Sequence, residues 1–354
     1  MKVAVIGCGW IATSQHIPAY MNLPEAEIKY FCDIKLDRAE AAVEKNGCGI
    51  AVADYHEILK DPEVEAVSIC TPNNMHSVIA IDFLKAGKHV MCEKPAARTY
   101  EEALEMQKVA HETGKVLNIG VVNRFGSGVN YIKKMIDDGD LGEVYHVYVS
   151  FRSHRSIPQL GGDFTTKAVA GGGSLIDWGI HFLDLVMYCC NDPKVTTVSG
   201  ETFSKLGKDI ANYSYLDMWA GDSKLDGIYD VDDSCTGLVR TEGPTISFNG
   251  AWAENIKDGG MFVDFIGTKG GCHLDYIMGT VDVYTAKHPA LITYRPEFRK
   301  DPVNSYQKEI ADFLDCTKDG RKNRANIDEA VITSEMMDAI YRSSEQHREI
   351  VLGK

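Results

Sequence analysis

The stretch Val3-Ala4-Val5-Ile6-Gly7-Cys8-Gly9-Trp10-Ile11-Ala12 decides the fold. Four apolar residues in a row, with no polar alternation, are what a strand shows when helices cover both faces of a parallel sheet. The turn that follows matches G-x-G-x-x-[G/A], placed between that strand and a helix-like segment. In such a turn Gly7 permits the sharp reversal, Gly9 lets the backbone approach a pyrophosphate, and Ala12 is small enough for helix and strand to pack closely. The N–H groups that open the helix, beginning at Trp10 and Ile11, are then expected to point at phosphate oxygens. A lone glycine pattern is weak evidence; its place directly after the first strand gives it weight.

Working outward, further strands are expected at 27–32, 64–70, 88–92 and 116–121, with helices at 36–46, 74–86 and 99–113. This alternation predicts a doubly wound parallel sheet of Rossmann type over residues 1–121. Asp33 ends the second strand, where a carboxylate accepts from the ribose hydroxyls of NAD and repels the extra phosphate of NADP, so NAD is favoured. Lys35 and Arg38 close behind it soften that repulsion. Ligands of open sheets bind outside the carboxyl ends of the strands. That rule puts Thr71-Pro72-Asn73-Asn74-Met75-His76 and Cys92-Glu93-Lys94-Pro95 on the cofactor crevice. A glutamate and a lysine at a strand end beside a nicotinamide are candidates for chemistry, because positive charge there favours a substrate alkoxide.

The chain has 354 residues, 44% hydrophobic and 25% charged, enough apolar content for a core and enough length for two domains. Its net charge of −14 repels polyanions and argues against a nucleic-acid partner. The ten cysteines show no C-x-x-C pair and several lie inside apolar runs, which fits neither a zinc site nor a disulfide-stapled secreted domain. No apolar run reaches 18 residues, and the first strand begins at once, so neither a membrane span nor a signal peptide is expected and a cytoplasmic location is.

Composition changes after about residue 122. Strand-like segments at 143–151, 194–203, 234–240, 244–252, 260–267 and 271–276 predict an α+β domain over 122–354, built on an open mixed sheet. Residues 204–230 read as an elaborated loop, and 302–342 as two helices around a polar turn. Within this half, Gly171-Gly172-Gly173-Ser174-Leu175-Ile176-Asp177-Trp178-Gly179-Ile180-His181-Phe182-Leu183-Asp184 stands out. Asp177 and His181 are four residues apart and share one face of a helix. An imidazole oriented by a carboxylate is a proton-transfer unit, although the same pair also describes a buried histidine satisfied by its neighbour. No metal-ligand spacing is present.

GCGWIA, TPNNMH, EKP and GGGSLIDWGIHFLD together resemble the glucose-fructose oxidoreductase, inositol dehydrogenase and rhizopine-catabolism family (Gfo/Idh/MocA) of NAD(P)-dependent oxidoreductases, over nearly the whole chain. The resemblance implies catalytic roles for Lys94, Asp177 and His181. It places Asn73, His76, Glu93 and Asn123 beside the nicotinamide. It also implies substrate contacts from Arg124, Arg155, Phe164 and Lys167 as well as from the catalytic three. Tyr306 departs from the histidine found in many relatives. An open sheet that forms the interface of a homo-dimer or homo-tetramer is part of the same implication.

The expected reaction is reversible oxidation of a secondary hydroxyl of a sugar, glycoside or cyclitol, such as C3 of a glucoside or a ring carbon of an inositol. His181 is the expected base, held by Asp177, and Lys94 stabilises the alkoxide. Two alternatives remain open at this point. One is an NAD-dependent glycoside hydrolase that oxidises a ring hydroxyl transiently and returns the hydride. The other is a non-catalytic NAD-responsive regulator.

Overall fold

A computed structural model describes residues 1–215, 218–257, 259–299 and 301–353. Leu216 and Asp217 of the expected 204–230 loop lie outside the described residues. The chain divides into two compact units, one of Met1–Phe125 with Asp301–Val331, the other of Gly126–Lys300 with Ile332–Lys354.

The first unit carries β1 (Lys2–Ile6), β2 (Glu27–Cys32), β3 (Ile50–Val52), β4 (Ala66–Ile69), β5 (His89–Glu93) and β6 (Leu117–Gly120). They form a parallel sheet in the order β3-β2-β1-β4-β5-β6. The short edge strand β3 was not expected; three residues with a polar flank leave too little periodicity to read. Between the strands run α1 (Ile17–Met21), α2 (Leu36–Asn46), α3 (His56–Leu59), α4 (His76–Lys85) and α5 (Tyr100–Thr113). Thr99 caps α5 by accepting from the Glu102 N–H, which fixes its start where the capping signal lies in the sequence. Val3 and Val5 point to one face of the sheet and Ala4 and Ile6 to the other, and all four are buried, as a strand covered on both sides requires.

The second unit holds α6 (Ser127–Asp137), β7 (Val144–Arg152), α7 (Lys167–Ala170) and α8 (Ile180–Cys189). It continues with β8 (Val195–Phe203), β9 (Ser234–Thr241), β10 (Thr245–Ala251), β11 (Gly260–Gly267), β12 (Gly270–Asp275), β13 (Thr280–Lys287), β14 (Ala290–Tyr294) and β15 (Ile350–Val351). The nine strands lie in the order β14-β13-β12-β11-β7-β10-β9-β8-β15, antiparallel except for the parallel pair β7–β10, so the sheet is open and mixed. Its core joins Val129 and Ile132 of α6 and Leu183, Val186 and Met187 of α8 to Val147, Val149, Val263 and Phe265. Of the apolar residues of β11, Phe265 lies on the core face. It is fully buried on the helix side, because strand alternation keeps it in phase with Val263. The opposite face presents Tyr145, Tyr148 and Tyr284.

The tail forms α9 (Ser305–Asp319) and α10 (Ile327–Gln346), the two helices expected there. Their placement differs from a single cut after residue 121. Ile310, Phe313 and Leu314 of α9 pack in one cluster with Val3, Val5, Tyr20 and Met91. The segment after α9 then adds to the sheet edge: Ile119 N–H donates to Ala325 O at 2.8 Å, and the Asn323 amide donates to Asn118 Oδ1 at 2.8 Å. Residues 301–331 therefore complete the first unit. Hydrophobic periodicity identified the helix but could not say which sheet it covers.

Candidate active site

At the carboxyl edge of the first sheet, Gly7 has φ +88 and a Cβ there would sit 2.6 Å from Cys70 O, so only glycine fits between the ends of β1 and β4. A Cβ on Gly9 would meet no atom within 4 Å, which leaves its backbone approachable. Helical backbone runs from 10 to 21, beginning with a wide π-type turn at Ala12–His16 that has no side-chain cap. Trp10 is exposed and Ile11 half-buried. A helix start beside an approachable glycine turn fits a dinucleotide pyrophosphate.

Asp33 is buried at the end of β2. Its Oδ2 accepts from Cys8 N–H at 2.9 Å and its Oδ1 from Lys35 N–H at 2.9 Å. The carboxylate thus braces the glycine turn. It keeps lone pairs for a ribose hydroxyl, since an ionised carboxylate accepts about four hydrogen bonds.

His76 opens α4 and is buried. Its ring nitrogens lie 2.8 Å from Pro95 O and 2.9 Å from Thr71 O. Burial pushes its pKa below the usual histidine range, against the pull of these two carbonyls. The ring ties the turn after β4 to the turn after β5, so its visible role is to hold Thr71 and the Lys94-Pro95 segment rather than to reach a ligand. Asn73 sits half-buried in the 3-10 turn before α4, and Asn123 half-buried in the one after β6.

Glu93, the last residue of β5, is buried. Oε1 is 2.8 Å from His16 Nε2, and Oε2 accepts from Lys94 N–H at 3.0 Å. His16 Nδ1 is 3.2 Å from Ser68 Oγ, which lies 2.9 Å from Tyr20 OH. His16, Ser68 and Tyr20 were missed in the sequence. His16 and Tyr20 come from the helical run 10–21 and Ser68 from β4, and a buried histidine has no spacing signature. Lys94 itself is half-buried beside them.

Arg124 corrects an expectation. Its side chain is fully buried, paired with Glu329, and donates to Arg324 O at 2.8 Å. It fastens the returning tail to the first unit rather than facing a substrate. A buried guanidinium paired in this way is a structural strut, and Lys322 Nζ, 2.8 Å from Glu329 Oε1, holds the same carboxylate.

In the second unit, Gly173 and Ser174 approach the end of the long loop. A Cβ on Gly173 would lie 1.9 Å from Asp232 O, and one on Gly172 would lie 2.1 Å from the Tyr341 hydroxyl. The glycines thus serve packing against protein. The buried Asp232 carboxylate accepts from Gly173 N–H (2.8 Å), Leu175 N–H (2.9 Å), Ser174 Oγ (2.7 Å) and Tyr341 OH (2.7 Å). Its neighbour Asp233 gathers the N–H groups of Lys205, Leu206 and Gly207 with one oxygen, so adjacent aspartates hold the triple-glycine segment and the start of the loop together. Burial pushes the Asp233 carboxyl up, partly offset by those three N–H groups. The pair lies just beyond the expected 204–230 loop and was not singled out in the sequence.

From this anchor the chain enters a π-type turn, Leu175–Gly179, before α8 begins. Asp177 lies in the wide turn and His181 in the first turn of α8, so they do not share a plain α-helix as expected. Both are half-buried, and Trp252 Nε1 donates to Asp177 Oδ2 at 3.2 Å. Asp184, one turn on, is buried. Trp252 belongs to a small apolar cluster whose outer members include Phe164 and Trp178. Phe164 meets Trp219 of the loop edge-on at 5.1 Å. The Arg155 guanidinium donates to Glu254 O (3.0 Å) and Asn255 Oδ1 (2.6 Å) and lies over the Tyr213 ring, while Lys167 is exposed with Glu345 at 3.7 Å. Among the described residues no group of three or more His, Cys, Asp or Glu side chains is placed to hold a metal ion, and no helix is long and apolar enough to cross a membrane.

Residues 1–121 match the model of an oxidoreductase family described by its NAD-binding Rossmann fold, and 133–352 match that of an oxidoreductase family C-terminal alpha/beta domain. The D-glucoside 3-dehydrogenase of Escherichia coli (strain K12) is 31% identical over 349 residues, covering 98% of this chain and 95% of that protein. The myo-inositol 2-dehydrogenase of Thermotoga maritima is 24% identical over 353 residues, covering 99% and 98%. A levoglucosan dehydrogenase solved with NADH and levoglucosan shares the fold, with a TM-score of 0.88 at 20% identity over 100% of both chains.

Proposed function

Because the chain belongs to the Gfo/Idh/MocA family of NAD(P)-dependent oxidoreductases, we propose that it moves a hydride between a secondary hydroxyl of a sugar, glycoside or cyclitol and NAD, with a glucoside oxidised at C3 as the leading substrate. The observation that carries the substrate class is the end-to-end likeness to the D-glucoside 3-dehydrogenase. The relatives named for inositol oxidation keep a cyclitol in view. The approachable Gly9 backbone, the helix that starts beside it and the Asp33 carboxylate fit NAD, which when bound supplies the hydride acceptor.

The chain's own residues do the rest. A sugar hydroxyl is a weak acid, so its proton must leave as the hydride departs. His181 takes that proton, Asp177 orients the ring, and Lys94 stabilises the developing alkoxide. Trp252 holds the Asp177 carboxylate from behind. The Phe164–Trp219 pair offers an aromatic surface for the part of a glycoside that is not oxidised.

The test is a panel of glucosides, aldoses and inositols, followed for both NADH and product structure. Formation of a 3-keto glucoside with equivalent NADH supports the reading, and His181→Ala should then slow hydride transfer about 100- to 10,000-fold. Release of free sugar without net NADH would favour a hydrolase. NAD binding with no turnover on any member would favour a regulator. Wild-type rates in both His181→Ala and Lys94→Ala would exclude the proposed proton-transfer roles.

A further inference from the structure

We propose that His16 and Glu93 form a buried ion pair that acts as the positioning element for Lys94, joining the helix of the cofactor turn to the strand end that carries the lysine. The inference rests on the catalytic role proposed above for Lys94.

The geometry is specific. His16 Nε2 faces Glu93 Oε1, and a carboxylate oxygen can only accept, so Nε2 carries a proton. The other carboxylate oxygen accepts the Lys94 N–H. The carboxyl lies close over Gly120, where a Cβ would come within 3.0 Å of it, so β6 accepts the Glu93 side chain only because glycine stands there. Glu93 is therefore held through both of its oxygens, and one of its two ligands is the backbone of the residue whose side chain must meet the substrate. His16 in turn sits in the wide turn that follows Gly9. Movement of the cofactor turn relative to Lys94 would have to break a charged hydrogen bond in a dry interior.

The groups that face the pair come from every neighbouring element. Tyr20 and Ser68 lie on the Nδ1 side, Cys70 follows β4, Cys92 precedes Glu93 in β5, Lys94 follows Glu93, and α9 brings Tyr306 (ring centroids 6.2 Å from His16) and Glu309. Burial favours the neutral His16 ring, but the Glu93 carboxylate, joined by Cys70 where that thiol ionises, raises the imidazole above its usual range. Cys70 is itself pushed up by burial. Glu93 is lowered from the usual carboxylate value, because His16 and the Lys94 N–H outweigh its burial. Each half of the pair thus favours the charged form of the other.

The experiment measures pre-steady-state NADH formation with a substrate that the wild type oxidises, together with calorimetric NAD binding. His16→Ala should slow hydride transfer by about 100-fold, the scale of a small misplacement of a reacting group, while leaving substrate KM within about threefold. His16→Gln, which can still donate to Glu93, should recover part of the rate. Glu93→Gln should bring a downward-shifted His16 ionisation into the rate profile, as burial is no longer opposed by the carboxylate. A His16→Ala enzyme with wild-type rate and pH profile overturns the proposal. If the variants fail to fold, nitrogen NMR of wild-type histidines decides: His16 with both ring nitrogens protonated at pH 8 supports the pair, and a neutral ring overturns it. A wild type that neither binds NAD nor reduces it defeats the underlying reading instead, and the NMR result stands apart from that failure.

Discussion

Asp232→Asn is the most informative single change in the second unit. The carboxylate accepts two backbone N–H groups, one on each oxygen, and two hydroxyls. An amide keeps only one oxygen. The hydroxyls of Ser174 and Tyr341 can rotate and accept from the new NH2, but a backbone N–H cannot. Whichever way the amide is placed, either Gly173 or Leu175 loses its acceptor in a buried setting. One such orphaned donor costs about 1–3 kcal/mol, and loss of charge on the remaining bonds adds roughly 1 kcal/mol. In a unit of this size about 1 kcal/mol moves the melting temperature by 2–4 °C, so a fall of roughly 4–16 °C is expected. Scanning calorimetry of the purified variant reads that fall, and titration with NAD should find the first unit's affinity unchanged. A variant melting within about 2 °C of the parent, or one that loses NAD binding while keeping its stability, would refute the reasoning.

Other expectations can be checked alongside it. Asp33→Ala should weaken NAD binding about 10- to 100-fold and narrow the preference over NADP, and an unchanged ratio in calorimetric titration would remove the ribose contact. The open sheet face with Tyr145, Tyr148 and Tyr284 should be covered in a dimer or tetramer; light scattering that finds a 39.1 kDa particle at micromolar concentration would contradict this. His89 accepts from the Val116 N–H at 3.1 Å, and burial, helped by Lys115, lowers it to about 4 from an ordinary 6.5. The unfolded chain binds that proton first, so stability should fall as pH drops from about 6.5 towards 4. His89→Gln, with an amide oxygen for Val116, should flatten this limb of the melting profile, and an unaltered limb would assign it to other groups.

What was legible in the sequence was what short-range patterning encodes. The run from Val3 to Ala12 announced a buried parallel strand, a glycine turn and a helix, because strand burial and positive φ act over neighbouring residues. The same logic located β7 to β12 within a residue or two and the two tail helices within about four. It failed for β3 and β15, which are too short to show alternation, for β14, exposed at the sheet edge, and for β13, whose buried Val281 and Val283 alternate with polar residues but were not read.

Candidate site residues near glycine turns and strand ends were found by the same local reasoning. Their partners were not. Nothing near Glu93 in the chain points to His16, 77 residues away. Nothing near Gly173 points to Asp232, and nothing near Arg124 to Glu329, 205 residues away, which turns a supposed substrate contact into a buried strut. By itself the sequence determined which backbone segments become strands, turns and helices, because those preferences are settled between neighbours. The tertiary structure alone decided which buried charges meet and which sheet α9 covers, because a charge or an apolar face gains its partner only when distant segments pack and water is excluded.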